Sequence, residues 1–207
     1  MKLAVFDFDN TLVEGETIDS LAKEAGCYEE VCAITSSAMS GKRDFFVSLQ
    51  KRAALLKGLS VAKARKVFSS LELIDGAIET VEGLKQRGYC VFCLSGGFEE
   101  GVEHINKTLK LDGYFANFLH TENSILTGQV GGSVMFDDSK RTLILKLQKI
   151  LGISQADTIC IGDGANDLAM FSVSGKKIAF CAKEVLREAA DIQIDTRDLR
   201  LVLECLD

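Results

Sequence analysis

Short apolar runs rich in β-branched and aromatic residues punctuate the chain at residues 3–8, 89–94, 158–161, 177–180 and 191–194. Their near-continuous hydrophobicity predicts strands buried on both faces. Helical stripes lie between several of them. Ile78, Val81 and Leu84 form one; Val102, Ile105 and Leu109 form a second. Leu143, Leu147, Ile150 and Leu151 form a third, ended by Gly152. Buried strands alternating with amphipathic helices predict an α/β fold: a parallel sheet with helices on both faces. Residues 117–136 differ. They alternate and are rich in glycine, which predicts a small β-hairpin excursion within that core.

The first connection is too long for this scheme. The first strand ends near Phe8, yet the helix before the second strand starts near Gly76. Loops between a strand and the next helix usually take about 2–6 residues. The intervening residues are strongly helical. Ile18, Leu21, Ala22 and Ala25 follow the i, i+3, i+4, i+7 spacing and are closed by Gly26; residues 31–38 and 61–68 also carry helical patterns. Residues 14–73 are therefore expected to form an inserted helical cap, packed on a Rossmann-like core made of 1–13 and 74–207. One cap stripe, Phe45, Leu49, Arg52 and Leu56, contains a charge. An unpaired guanidinium among apolar side chains is costly, so Arg52 is expected either to snorkel or to hold a carboxylate ligand bidentately.

Composition removes several function classes. The 207 residues carry 24 Lys plus Arg against 30 Asp plus Glu, a formal charge of −6. That balance gives no electrostatic footprint for nucleic acid. The first apolar run is broken by Asp7, far short of an export signal, and nothing approaches the ~20 apolar residues of a membrane span. A soluble cytoplasmic protein is expected. The 7 cysteines include Cys90 and Cys93. On a strand their side chains face opposite ways about 10 Å apart, too far for a disulfide, so buried free thiols are expected.

The chemistry clusters at predicted strand ends, where open α/β sheets bind ligands. Asp7 and Asp9 follow the first strand at i, i+2, so they share one side. Two close carboxylates push one pKa up, which splits them into an ionised nucleophile or metal ligand and a protonated acid. The second strand delivers Ser95, Gly96 and Gly97, a turn able to present a hydroxyl and amides to an anion. Lys140 opens a helix after Asp137, Asp138 and Ser139, where the helix dipole disfavours a cation unless an anion lies beside it. Asp163 sits at a third strand tip between two glycines, with Asn166 and Asp167 just beyond. Together these carboxylates form an oxygen-rich site suited to a hard cation such as Mg²⁺.

These four segments, in this order, resemble the haloacid dehalogenase superfamily of phosphotransferases. Asp7-Phe8-Asp9-Asn10-Thr11 matches its first motif, Ser95 its second, Lys140 its third, and Gly162-Asp163-Gly164-Ala165-Asn166-Asp167 its fourth. The cap is similar to that of phosphoserine phosphatases at Gly15-Glu16-Thr17-Ile18-Asp19, at Ala38-Met39-Ser40-Gly41, and from Phe45 through Arg52 to Leu56. So are Leu94 to Phe98 and Ile178 to Lys183.

The resemblance implies a Mg²⁺-dependent hydrolysis of O-phospho-L-serine, the last step of serine biosynthesis, by a monomer or homodimer. Asp7 would be the nucleophile and Asp9 the acid and base. Ser95, the Gly96 amide and Lys140 would hold the phosphoryl group. Asp7, the Asp9 carbonyl and Asp163 would hold the metal, with Asp167 and Asn166 in support. Glu16 would bind the substrate ammonium and Arg52 its carboxylate, with Met39 and Phe45 against the substrate. Asn10 stands where the family often has Ser or Gly, and is expected to face solvent. The loop before Gly76 lacks the family's frequent proline. The alternatives are a phosphatase of the same fold for another small phosphomonoester, and a phospho-accepting receiver domain. Receivers also use acidic, hydroxyl and lysine groups but lack an insert like 14–73.

Overall fold

A computed structural model of the chain describes residues 1–39 and 44–206, with the side chains of residues 37–39 outside that description. The described residues form a 7-stranded sheet. It comprises β1 (Lys2–Phe6), β2 (Tyr89–Phe98), β3 (Gly113–Glu122), β4 (Ile125–Gly132), β5 (Thr158–Gly162), β6 (Lys176–Phe180) and β7 (Ile192–Ile194), in the order β4-β3-β2-β1-β5-β6-β7. Every pairing is parallel except β3 with β4. β1 lies centrally, with β2 on one side and β5 on the other. This is the topological switch point, where the connections leave in opposite directions and open a crevice beyond the strand ends.

Alternation along β1 divides the core. Ala4 and Phe6 pack with Val81 and Leu84 of α5 (Ala77–Gln86) and with Val102, Ile105 and Leu109 of α6 (Glu99–Leu109). Leu3 and Val5 face the other way, onto Ile144 and Leu147 of α7 (Ser139–Leu151) and Met170 of α8 (Leu168–Phe171). Cys93 joins the first cluster and Cys90 the second, and all the cysteines are free. Two stripe residues fall on the wrong side of the expectation. Ile150 is 79% exposed and Ile78 38%, while Ile144 and Ala77 are buried in their place. The rest of each stripe holds, with Val81, Leu84 and Leu147 buried. The short helices α9 (Glu184–Arg187) and α10 (Leu201–Glu204) complete the cover. Among the described residues, no helix is long and apolar enough to cross a membrane.

Between β1 and α5 lie α1 (Thr17–Ala25), α2 (Tyr28–Met39), α3 (Phe45–Leu55) and α4 (Val61–Ser69). Ile18, Leu21, Val31, Leu49, Leu56 and Phe68 pack into one cluster with Leu119 of β3 and Leu126 of β4. The link is also made by backbone: Gly58 and Val61 donate to Leu126 and Ser124, and Leu126 donates to Leu59. β3 and β4 form the antiparallel hairpin. β3 begins at Gly113 as a parallel neighbour of β2, continues the main sheet, and supplies part of the apolar floor for these helices. A segment of this size buries too little of its own surface to stand alone, so it borrows a wall from the sheet.

Candidate active site

Asp7, Asp9, Glu16, Phe45, Arg52, Gly96 and Asn166 line one cleft of about 380 Å³, together with Ile18, Leu49, Gly97 and Phe98. The cleft lies between the ends of the central strands and helices α1 and α3. Asp7 directly follows β1, and Asp163 directly follows β5. One carboxylate oxygen from each of Asp7, Asp163 and Asp167 lies within 4.8 Å of the others, all three residues buried. The Asp9 carboxylate is not in that group. Its Oδ1 accepts the Thr17 backbone N–H at 2.9 Å and also the Thr17 hydroxyl, which turns it toward α1.

Lys140 is not the solvated surface lysine that its helix-start position allows. It is 2% exposed, and its Nζ donates to Asp7 Oδ1 at 2.6 Å and to Asp167 Oδ1 at 2.5 Å. These carboxylates supply the negative charge that a cation needs in the first turn of a helix. The second oxygen of Asp167 accepts the N–H groups of Asp163 and Gly164 at 3.0 and 3.1 Å. Asp167 therefore ties the lysine to the β5 tip as well as lying in the carboxylate cluster.

Ser95 departs from expectation. β2 continues through it to Phe98 instead of turning, and Ser95 is fully buried. Its Oγ accepts the Gly97 N–H at 2.9 Å. The two glycines are needed for space. A Cβ on Gly96 would stand 2.7 Å from Phe45 Cζ, and one on Gly97 2.9 Å from Asp9 Oδ2. Asn117, which carries no sequence signal beyond being an Asn in an apolar strand, holds this strand end. Its amide donates to the Gly96 and Val134 carbonyls at 3.0 Å each.

On the helical side, Arg52 lies on the buried face of α3, as its stripe predicts. Its Nε donates to the Ser48 carbonyl and its Nη1 to Thr35 Oγ1, both at 3.3 Å, while Thr35 donates in turn to Asp19 at 3.0 Å. Glu16 precedes α1, and its Oε1 accepts from Asn10 Nδ2 at 2.8 Å. Asn10 is half-buried, with its side chain bonded to Glu16. Phe45 packs over Gly96. Met39 ends α2, but its side chain, with residues 40–43, lies outside the described residues.

Burial raises the acidic groups of the cleft. It pushes the Asp7 carboxyl up to about 7, with Asp167 adding to the effect and Lys140 opposing it. It pushes Glu16 up to about 8, helped by the charge of Asp9. Asp9 rises for the same reason, against its hydrogen bonds from Thr17. Asp163 is held well above the usual carboxylate range by burial and by Asp7 and Asp167. Burial works against the charge on Lys140, but Asp167 and Asp7 outweigh it and hold its pKa up. A crevice with this excess of carboxylates over cations favours a proton donor, a divalent cation, or both.

Known proteins resemble this chain in sequence and fold. Residues 1–175 match the family model of haloacid dehalogenase-like hydrolases. A phosphoserine phosphatase of Campylobacter jejuni subsp. doylei is 48% identical over 206 residues, covering 100% of both chains. One from Methanocaldococcus jannaschii is 50% identical over 203 residues, covering 98% of this chain and 96% of that one. A solved phospho-aspartyl intermediate analogue of phosphoserine phosphatase superposes with a TM-score of 0.97 at 50% identity, covering 99% of this chain and 98% of that one. A substrate-bound phosphoserine phosphatase complex gives a TM-score of 0.96 at 49% identity, covering 99% and 97%.

Proposed function

The chain belongs to the haloacid dehalogenase-like hydrolases, and from that membership we propose that it hydrolyses O-phospho-L-serine to L-serine and phosphate through an aspartyl-phosphate. The reaction is the last step of L-serine biosynthesis. The observation that carries this reading is that Glu16 and Arg52 share one cleft with Asp7 and Asp9. One acidic and one basic group face a nucleophile–acid pair, which fits a small zwitterion bearing a phosphate.

An Asp7 carboxylate oxygen attacks phosphorus in line with the departing serine oxygen. Lys140, already bonded to Asp7, keeps that carboxylate oriented and offsets charge on the phosphoryl oxygens. Asp9, with a raised pKa, gives its proton to the leaving oxygen; as a carboxylate it then takes one from the water that opens the acyl phosphate. Thr17 fixes the Asp9 ring of contacts by donating twice to one oxygen, which leaves Oδ2 beside Gly97 for this exchange. The Gly96 and Gly97 backbone, which has no side chains to obstruct approach, lines the phosphoryl side, with the buried Ser95 hydroxyl bracing the Gly97 N–H.

The donor set fits Mg²⁺. Among the described residues, three buried carboxylates within 4.8 Å of one another have only Lys140 bonded among them as counter-charge. Hard oxygen donors of this kind suit Mg²⁺ when phosphate is the co-ligand. Asp7, Asp163 and the Asp9 carbonyl would hold the ion, with Asp167 behind them. When bound, it neutralises charge between Asp7 and the incoming phosphate. The free thiols suit a reducing cytoplasm.

The test is phosphate release by the purified protein from a panel of small phosphomonoesters, with Mg²⁺ and with EDTA. O-phospho-L-serine should be turned over best, and chelation should abolish turnover. Preference for a phosphate lacking either the ammonium or the carboxylate would contradict the substrate assignment.

A further inference from the structure

Asn10 follows the catalytic pair directly and adopts a left-handed backbone conformation, with φ of 58°. Asn is among the few non-glycine residues that tolerate this region. Its backbone N–H donates to the Gly15 carbonyl at 3.2 Å, closing residues 10–15 into a loop that ends where α1 begins. Its side-chain Nδ2 donates to Glu16 Oε1 at 2.8 Å. Glu16 stands at the N-cap position of α1, yet its carboxylate caps no helix N–H. The carboxylate is thus free of the helix and held from the other side of the loop.

We propose that Asn10 is a positioning residue for substrate selection, its amide orienting Glu16 so that the carboxylate meets the ammonium group of the substrate. The proposal rests on the reading of Glu16 as the ammonium partner. A glutamate side chain has several rotatable bonds, and fixing one oxygen in advance removes rotamers that binding would otherwise have to freeze. The donor is neutral. A lysine or arginine in its place would fix Glu16 equally well but would compete with the ammonium for its charge. A serine at this position is too short to span the same gap. The left-handed backbone matters as well, because it turns the side chain of Asn10 inward from a loop whose neighbours Glu14 and Gly15 are exposed.

The experiment uses two variants. Asn10→Gly keeps the backbone conformation available and removes only the amide; Asn10→Asp keeps the shape and replaces the donor with a second carboxylate. For each, kcat/KM is measured on O-phospho-L-serine and on 3-phosphonooxypropanoate, which has the carboxylate and phosphate but no ammonium. The wild-type preference for phosphoserine should fall about 10-fold in Asn10→Gly, carried mainly by KM, and further in Asn10→Asp. A merely structural role would lower both substrates by one factor and leave the ratio unchanged, which would overturn the proposal. Glu16→Gln is run in parallel. If it collapses the ratio while both Asn10 variants keep it, Asn10 alone is wrongly assigned. An unchanged ratio in Glu16→Gln overturns the ammonium reading of Glu16, and this proposal with it. Thermal melting identifies any variant that fails to fold, and if Asn10→Gly does, Asn10→Asp decides.

Discussion

Lys140 Nζ and Asp7 Oδ1 meet at 2.6 Å across 133 residues of sequence. The contact joins the start of α7 to the end of β1, and Asp167 closes it from the β5 side at 2.5 Å. Lys140→Met keeps most of the side-chain volume and removes the charge. The carboxylates left behind must then take up protons or repel each other. Breaking a buried ion pair from one side costs about 3–5 kcal/mol. A clear fall in the urea midpoint is expected, together with a loss in kcat on the order of 10²–10³. Retention of both stability and turnover would remove Lys140 from the site.

Gly162, the last residue of β5, offers a subtler way to disturb the same contact. A Cβ there would collide with the Asp167 carboxylate and come within 2.8 Å of Met170 Cε. Gly162→Ala should displace Asp167 from the Asp163 and Gly164 amides and loosen Lys140. Activity should fall at least about tenfold, and a higher Mg²⁺ concentration should be needed for half-maximal rate. Wild-type Mg²⁺ activation in this variant would show that Asp167 need not stay where it is.

Arg52 separates phosphoserine from other phosphates. A hydrogen bond to a charged group contributes about 1.5–3 kcal/mol, so Arg52→Ala should lose roughly 10- to 150-fold in affinity for phosphoserine. Phosphoethanolamine has no carboxylate, and its hydrolysis should change much less. Equal losses on both substrates, in a variant whose circular dichroism and melting remain normal, would assign Arg52 to the phosphate or to the fold.

The Glu16 carboxyl gives stability a pH dependence. Burial raises it to about 8, above its ordinary value near 4.5. A carboxyl with a raised folded-state pKa favours folding while it is protonated in both states. That advantage is lost as pH rises from the unfolded value through about 8, because the unfolded chain ionises first. With metal chelated, the melting temperature should therefore fall between pH 5 and pH 8.5. Glu16→Gln should flatten part of that fall. An identical slope in the variant would mean that Glu16 ionises normally in the folded protein.

The sequence made the strand-tip carboxylates legible because each follows an apolar run, and the switch-point rule then brings Asp7, Ser95 and Asp163 to one crevice. Arg52 was legible as a charge on an apolar stripe. Lys140 was legible as a helix-start cation in need of an anion, but its burial was not, because the carboxylates that make that burial tolerable lie 133 and 27 residues away. The bond from Asn10 to Glu16 was not legible either, because it depends on a positive φ at Asn10 that local pattern does not encode. Asn117 has no periodic signature, since it acts through bonds to the end of β2 and to the segment after β4. The pairing of β4 with residues 58–61 is also non-local, and so the hairpin's part in covering the helical segment was invisible to alternation alone.

Asp7 as the nucleophile is the central claim, and trapping its phosphorylated form tests it most directly. Wild-type protein turning over O-phospho-L-serine labelled on the phosphate would be acid-quenched within the first turnovers, reduced with borohydride, digested and mapped by mass spectrometry. An aspartyl-phosphate is reduced to homoserine, which marks the residue that carried the phosphoryl group. The expected result is label on the protein during turnover and homoserine at residue 7 alone. Homoserine at Asp9 or Asp163, or a steady release of phosphate with no covalent label at any quench time, would contradict the account.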